Sequence, residues 1–239
     1  MACRGLNCAN TKLINAHILP RGFARLIRAE PKAELLKLTA DGVGPALPQL
    51  GETDRNILCA DCDALLGKCD AYAIEVCRSF APDSPHSDPF EMRSVDTEQF
   101  SKFMLSYLWR ASISASGRYC GVVTFGWLYE PLAREIIFGS RSLTEIFAFK
   151  LFVMRLRSNK HDVTRITTDP IRFKFEKLNA YSFLLCGFRI IAVLDGQELA
   201  RHFDGLIINR TKVFRGSYYQ FDGSPEHLKL VEMLTANKD

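Results

Sequence analysis

The residues with the clearest capacity for chemistry in this chain are two pairs of cysteines. Cys3 and Cys8 bracket a short polar stretch at the front, and Cys59 and Cys62 form a Cys-x-x-Cys turn. Two thiolates in one tight turn supply half of a tetrahedral zinc site, and a second such turn completes it. The alternative is four inert, unligated thiols buried like small hydrophobes. Paired spacing on both sides favours the metal. Cys69 and Cys77 also lie in the first third of the chain, while Cys120 and Cys186 stand alone. The chemistry is therefore expected at the front.

The segments beside the cysteines carry further candidates. Ala16-His17-Ile18-Leu19-Pro20 follows the first pair, and Asp54-Arg55-Asn56-Ile57-Leu58 leads into the second, with Asp63 directly after it. This layout resembles the HNH endonucleases. In that family a histidine, two apolar residues and a proline end a first strand, an asparagine precedes the second cysteine pair, and a ligand residue follows it. Closer still is a resemblance to a bacterial group of HNH-like proteins of unassigned role. It covers residues 3–77 and extends weakly to 104–110 and 125–127.

The resemblance implies a treble-clef (ββα-metal) zinc unit whose zinc is structural and held by Cys3, Cys8, Cys59 and Cys62. It implies a catalytic trio of His17 as general base, Asp54 at the middle-asparagine position and Asp63 as the final ligand. An imidazole can take a proton from water at cellular pH. A hard ion such as Mg²⁺ or Mn²⁺ on a carboxylate oxygen neutralises charge at a scissile phosphate. Three departures stand against it. Ala16 replaces an expected ligand residue, Asp54 lacks the amide donor of asparagine, and Asp63 is a single oxygen donor. Asp70 shares a helical face with Asp63 but lies about 10 Å further along the axis. It is expected to pair with an arginine or to support the ligand residues.

Arg21, Arg25 and Arg28, with Lys32, are candidates to grip nucleic-acid phosphates; a solvated basic face is the plain alternative. The competing functional reading is a catalytically degenerate zinc module that binds nucleic acid or a partner protein within a larger complex. Defence against phage or mobile elements is the setting implied by the resemblance alone.

Composition bounds these readings. With 47% hydrophobic and 24% charged residues, the 239-residue chain has the make-up of a globular protein with a core of its own. A net charge of +4 tolerates nucleic acid without arguing for it. No signal peptide is visible and no uncharged apolar run approaches the ~18 residues of a membrane span, so a cytoplasmic location is expected.

The elements that must position these groups follow from periodicity. Residues 23–38 read as a helix that Pro31 breaks, 41–48 as a Gly- and Pro-containing loop, and 61–80 as a second helix. The proline-rich stretch at the start of 81–95 marks a linker. A helix capped by Asp96 or Thr97 runs to about residue 114, and another, 127–138, is closed by Gly139. Residues 146–156 and 171–175 read as strands, and 181–194 and 205–219 as β-rich with glycines at the turns, with a closing helix at 225–234. The class is α+β: a front unit (1–80) with zinc, a linker (81–95), and a C-terminal domain (96–239) of helices followed by strands. Trp109, Trp127 and the phenylalanines 147, 149, 173 and 175 are expected in the core. His86, His161, His202 and His227 show no ligand spacing and are expected to be structural or surface residues.

Overall fold

The computed structural model describes residues 1–28, 37–38, 52–84, 87–115 and 119–236. The expected break at Pro31, the loop at 41–48 and His86 lie outside them.

The front of the chain is a two-residue ribbon backed by helices. Strand β1 (Ala16–His17) is followed by Pro20, the N-cap residue of helix α1 (Arg21–Ile27). Residues Lys37–Leu38 form a strand, β2, and not the end of the expected first helix. Strand β3 (Thr53–Asp54) pairs antiparallel with β1, placing Ala16 opposite Asp54 and His17 opposite Thr53. Helix α2 (Ala60–Arg78) starts directly after Cys59, with Asp61 and Asp63 in its first turn, where the helix dipole favours acids. Its buried residues, Cys62, Leu66, Asp70, Ala73, Val76 and Cys77, are spaced mostly three or four positions apart and form one inward stripe.

After β4 (Phe90–Met92) comes the helix that organises the molecule, α3 (Thr97–Ile113). Asp96 caps it by accepting from the backbone amides of Glu98 and Gln99. Residues on every side of α3 are buried, as expected of a helix enclosed by other elements. Phe23 of α1 stacks on Phe103, and Tyr107 meets Phe183 of the sheet edge-on. One continuous apolar core thus runs from Cys3 to Phe214.

Helix α4 (Gly126–Ile137) ends before Gly139, whose φ of 83° suits a left-handed C-terminal residue. Only its second half is inward, through Ala133, Ile136 and Ile137. Trp127, expected in the core, sits on the first turn and is 88% exposed. Trp109 is buried as expected and donates its indole N–H to Glu130 at 2.9 Å.

The C-terminal half is β-rich: β5 (Phe149–Arg157), β6 (Thr167–Thr168), β7 (Ile171–Phe175), β8 (Leu178–Leu185), β9 (Phe188–Leu194) and β10 (Phe214–Gln220), closed by α5 (Pro225–Ala236). Their order across the sheet is β2-β6-β8-β9-β5-β10-β4, with β7 lying along the same edge of β8 as β6. The β-rich stretch 181–194 is two strands, reversed at Cys186-Gly187, a turn at the glycine as expected, where both φ values are positive, as in a two-residue hairpin turn. Residues 205–213, within a stretch expected to be β-rich, are largely 3₁₀ turns instead. There the Asn209 side chain stands in for a neighbouring strand, accepting from Leu151 N–H and donating to the Phe149 carbonyl. Phe149 is buried, whereas Phe147 is half-exposed beneath Arg210 and Lys150, and Phe173 and Phe175 pack at the margin of a smaller cluster around Phe152. No helix among the described residues is long and apolar enough to cross a membrane.

Candidate metal centre and its neighbours

The four cysteines singled out by spacing converge. The thiol sulfurs of Cys3, Cys8, Cys59 and Cys62 all lie within 4.8 Å of one another, and Cys8 Sγ is 3.8 Å from Cys59 Sγ. Sulfurs on a tetrahedral zinc at about 2.3 Å stand about 3.8 Å apart, so the donor set fits that ion.

The backbone builds both turns. Arg4 N–H donates to the Ile57 carbonyl and Ile14 N–H to that of Leu58, lacing the first turn to the approach of the second. Cys3 Sγ accepts from the backbone amides of Gly5 (3.3 Å) and Cys59 (3.2 Å), contacts that favour a thiolate. Gly5 has no alternative. A Cβ there would lie 2.3 Å from Cys62 Sγ, so only glycine lets the first turn close on the second.

Without an ion, the backbone amide of Cys62 draws the Cys59 thiol down to about 7, while burial pushes Cys3 and Cys62 up. Burial thus resists a gathering of four thiolates, and a divalent cation would supply the charge that offsets it. The site is a four-cysteine cluster able to hold a structural zinc. It supplies no open coordination position.

His17 leaves the front ribbon on the face opposite to that of Asp54, because adjacent strand residues point to opposite sides. The His17 Nε2 atom is buried with no hydrogen-bond partner among the described residues. A buried orphan nitrogen of this kind is uncommon in native folds and calls for an explanation. Asp63, in the first turn of α2, is close enough for the charge of His17 to act on it. Burial raises the Asp63 pKa above the ordinary carboxylate range, Asp70 adds to the rise, and Arg110 and His17 oppose it. The Asp63 side chain makes no hydrogen bond among the described residues.

Asp70, as expected, pairs with an arginine. Arg110 of α3 grips it in fork geometry at 2.7 and 3.0 Å, and both residues are buried. The same guanidinium donates to the His17 carbonyl at 3.3 Å. Arg110 therefore joins the His17 strand, α2 and α3. It belongs to the candidate site, yet nothing in its sequence surroundings marks it beyond its place in an otherwise apolar helix.

Asp54 is 6% exposed and braces the loop that follows it. Its carboxylate accepts from Asn56 N–H at 2.8 Å, Ser114 Oγ at 2.7 Å and Ala115 N–H at 2.9 Å. Ala16 is fully buried and presents only a methyl group. Arg21 and Arg25 are exposed on α1, with no ion-pair partner among the described residues, and Arg28 is half-buried and engaged.

One expectation is corrected in the C-terminal half. His161 and His227 are not isolated histidines. Their Nε2 atoms lie 3.0 Å apart, and Asp222 joins them. His161 lies about sixty positions before Asp222 and His227, so no local spacing joins all three. His202 remains apart from that cluster, against Phe203.

No family model matches this chain, and neither the curated proteins nor the solved structures contain a match.

Proposed function

We propose that the protein is a metal-dependent nuclease of the HNH type, cleaving phosphodiester bonds in DNA or RNA. The observation that carries this reading is the pairing of two groups without hydrogen-bond partners among the described residues, on elements joined by the cysteine cluster: the buried Nε2 of His17 and the carboxylate of Asp63, close enough for their charges to interact. On this reading the front ribbon, the two cysteine turns and α2 make a treble clef, with zinc as the clamp.

In that site His17 takes the proton from the attacking water. Arg110 fixes the backbone of His17 through its carbonyl, and Asp54 holds the loop shape from the far side of the ribbon. Asp63 would hold a Mg²⁺ or Mn²⁺ ion, which when bound neutralises charge on the phosphate. One carboxylate with water and substrate oxygens is a known manner of binding Mg²⁺. Asp70 does not share that task, since Arg110 occupies both of its oxygens. Arg21 and Arg25 would hold flanking phosphates. A cytoplasmic setting and a role in antiphage or mobile-element defence rest on the HNH resemblance alone.

Cleavage of plasmid DNA and of RNA with Mg²⁺ or Mn²⁺ tests the reading. His17→Ala is expected to lower the rate by about 10²–10⁴-fold, the usual contribution of a general base, with its metal content unchanged. Cleavage by His17→Ala at the wild-type rate would remove His17 from the mechanism.

The buried methyl of Ala16 favours a second reading, in which the front unit is a degenerate module that binds nucleic acid or a partner protein. No cleavage, together with nucleic-acid binding that weakens by about one log unit per log unit of salt for each phosphate contacted, would select it. No cleavage and no such binding would leave a partner protein as the ligand.

A further inference from the structure

A second cluster of metal-binding side chains lies at the far end of the sheet. His161 follows the end of β5, Asp222 follows β10, and His227 sits in the first turn of α5. The donor atoms of all three lie within 4.8 Å of one another. We propose that His161, Asp222 and His227 form a second metal site for a divalent first-row transition ion, separate from the cysteine cluster.

The geometry selects the class of ion. Two imidazole nitrogens 3.0 Å apart, each bonded to one ion at about 2.05 Å, subtend about 94° at it. That is the angle between neighbouring ligands of an octahedral or tetragonal ion, which favours Ni²⁺ or Cu²⁺ over tetrahedral Zn²⁺. Waters would complete the coordination, since His161 and Asp222 both reach the surface.

The surroundings hold the ligands in place. Ser158 Oγ donates to Asp222 Oδ1 at 2.6 Å and accepts from the backbone amide of His161 at 2.9 Å. Asn159 N–H fixes the other oxygen of Asp222 at 2.9 Å. Such outer contacts orient ligand groups before the ion arrives. Phe221 packs edge-on against His161 and tilted against His227, limiting both rings. Glu226 is not available as a further ligand, because Tyr219 and Arg189 occupy its oxygens.

In the metal-free protein a proton occupies the ion's place. Gly223 N–H donates to His227 Nδ1 at 2.9 Å, which leaves the ring proton of neutral His227 on Nε2, shared with His161 Nε2. Metal binding at Nε2 moves that proton to Nδ1, and the Gly223 amide, which donates to Nδ1, must turn away. Gly223 is exposed, has a φ of 81° and has open space where a side chain would stand, so the turn can adjust. An ion here ties the loop after β5 to the start of α5.

The test is Ni²⁺ binding by the protein as purified, free of any histidine tag, followed by calorimetry and by the melting temperature. The wild type is expected to take up one equivalent of Ni²⁺ and to melt at a higher temperature with it, because the ion binds the folded state. His161→Gln and His227→Gln should each weaken binding by at least about 10-fold and lose the shift, while retaining the metal of the cysteine cluster. His161→Gln changes a half-exposed side chain and so keeps the comparison sound if His227→Gln folds poorly. Absence of Ni²⁺ uptake by the wild type would overturn the site. So would uptake undiminished in His161→Gln.

Discussion

The cysteine cluster and the His17–Asp63 neighbourhood share one small unit, yet they are finished in opposite ways. Around the cysteines every donor faces its fellows, backbone amides point at sulfur, and even the glycine of the first turn has no room for a methyl group. Around His17 the imidazole nitrogen lacks a partner, Asp63 makes no hydrogen bond among the described residues, and the nearby Asp70 is bound by Arg110. A closed set of identical ligands is what a structural ion requires; groups with unused bonding capacity are what chemistry or recognition requires. The first region is built for stability, and it carries the second.

The contrast can be tested by breaking the closed region first. Cys62→Ser removes a buried ligand, and since structural zinc contributes roughly 10–16 kcal/mol in small zinc folds, the front unit should lose its metal and its tertiary structure. Metal content and near-ultraviolet circular dichroism read both effects.

Breaking the tie between the regions comes next. Arg110→Leu strands a buried carboxylate at Asp70 and releases the His17 carbonyl, for an expected loss of about 3–5 kcal/mol in chemical denaturation. Asp54→Ala deprives two amides and a hydroxyl of their acceptor and should cost about 1–3 kcal/mol, with zinc retained.

The smallest effect belongs to the open region and has the opposite sign. Asp63 has a raised pKa in the folded state, so the fold binds this proton more tightly than the unfolded chain. Its favourable contribution is complete below the unfolded value near pH ~4 and is lost as pH rises through the folded value. Asp63→Asn should therefore stabilise the protein at neutral pH. The gain is roughly a few tenths of a kcal/mol for a side chain only partly buried and screened by solvent, and it should vanish on acidification. On the proposed nuclease reading, the same variant is also expected to abolish cleavage. A destabilised wild-type residue that activity needs is the mark of a functional site.

The sequence made the closed region legible because its ligands come in local pairs. A turn that can offer two thiolates to one ion is written in four to six consecutive residues, and the start of α2 after Cys59 follows from the same stretch. The helices α2, α3 and α4 were legible through apolar periodicity, the Asp96 cap and Gly139, and the expectation that Asp70 meets an arginine held. Which arginine was not legible, because Arg110 reaches Asp70 only after α3 packs on α2. The same reason hid the Asp222 cluster: β5 and β10 lie side by side in the sheet, and their ends bring distant residues together. Trp127 misled because amphipathic spacing gives the period of a helix but not the length over which its face is covered. Residues 205–213 misled because a single asparagine side chain can replace a strand's hydrogen bonds.

The claim beneath all of this is that four thiols on one ion clamp the unit that presents His17. Elemental analysis of the purified protein, followed by exchange with Co²⁺, tests it most directly. One metal per chain is expected at the cysteines, with the intense sulfur-to-cobalt absorption of a tetrahedral four-thiolate site, lost in Cys62→Ser. A chain that folds with no bound metal at its cysteines, or a cobalt spectrum that Cys62→Ser leaves unchanged, would contradict it.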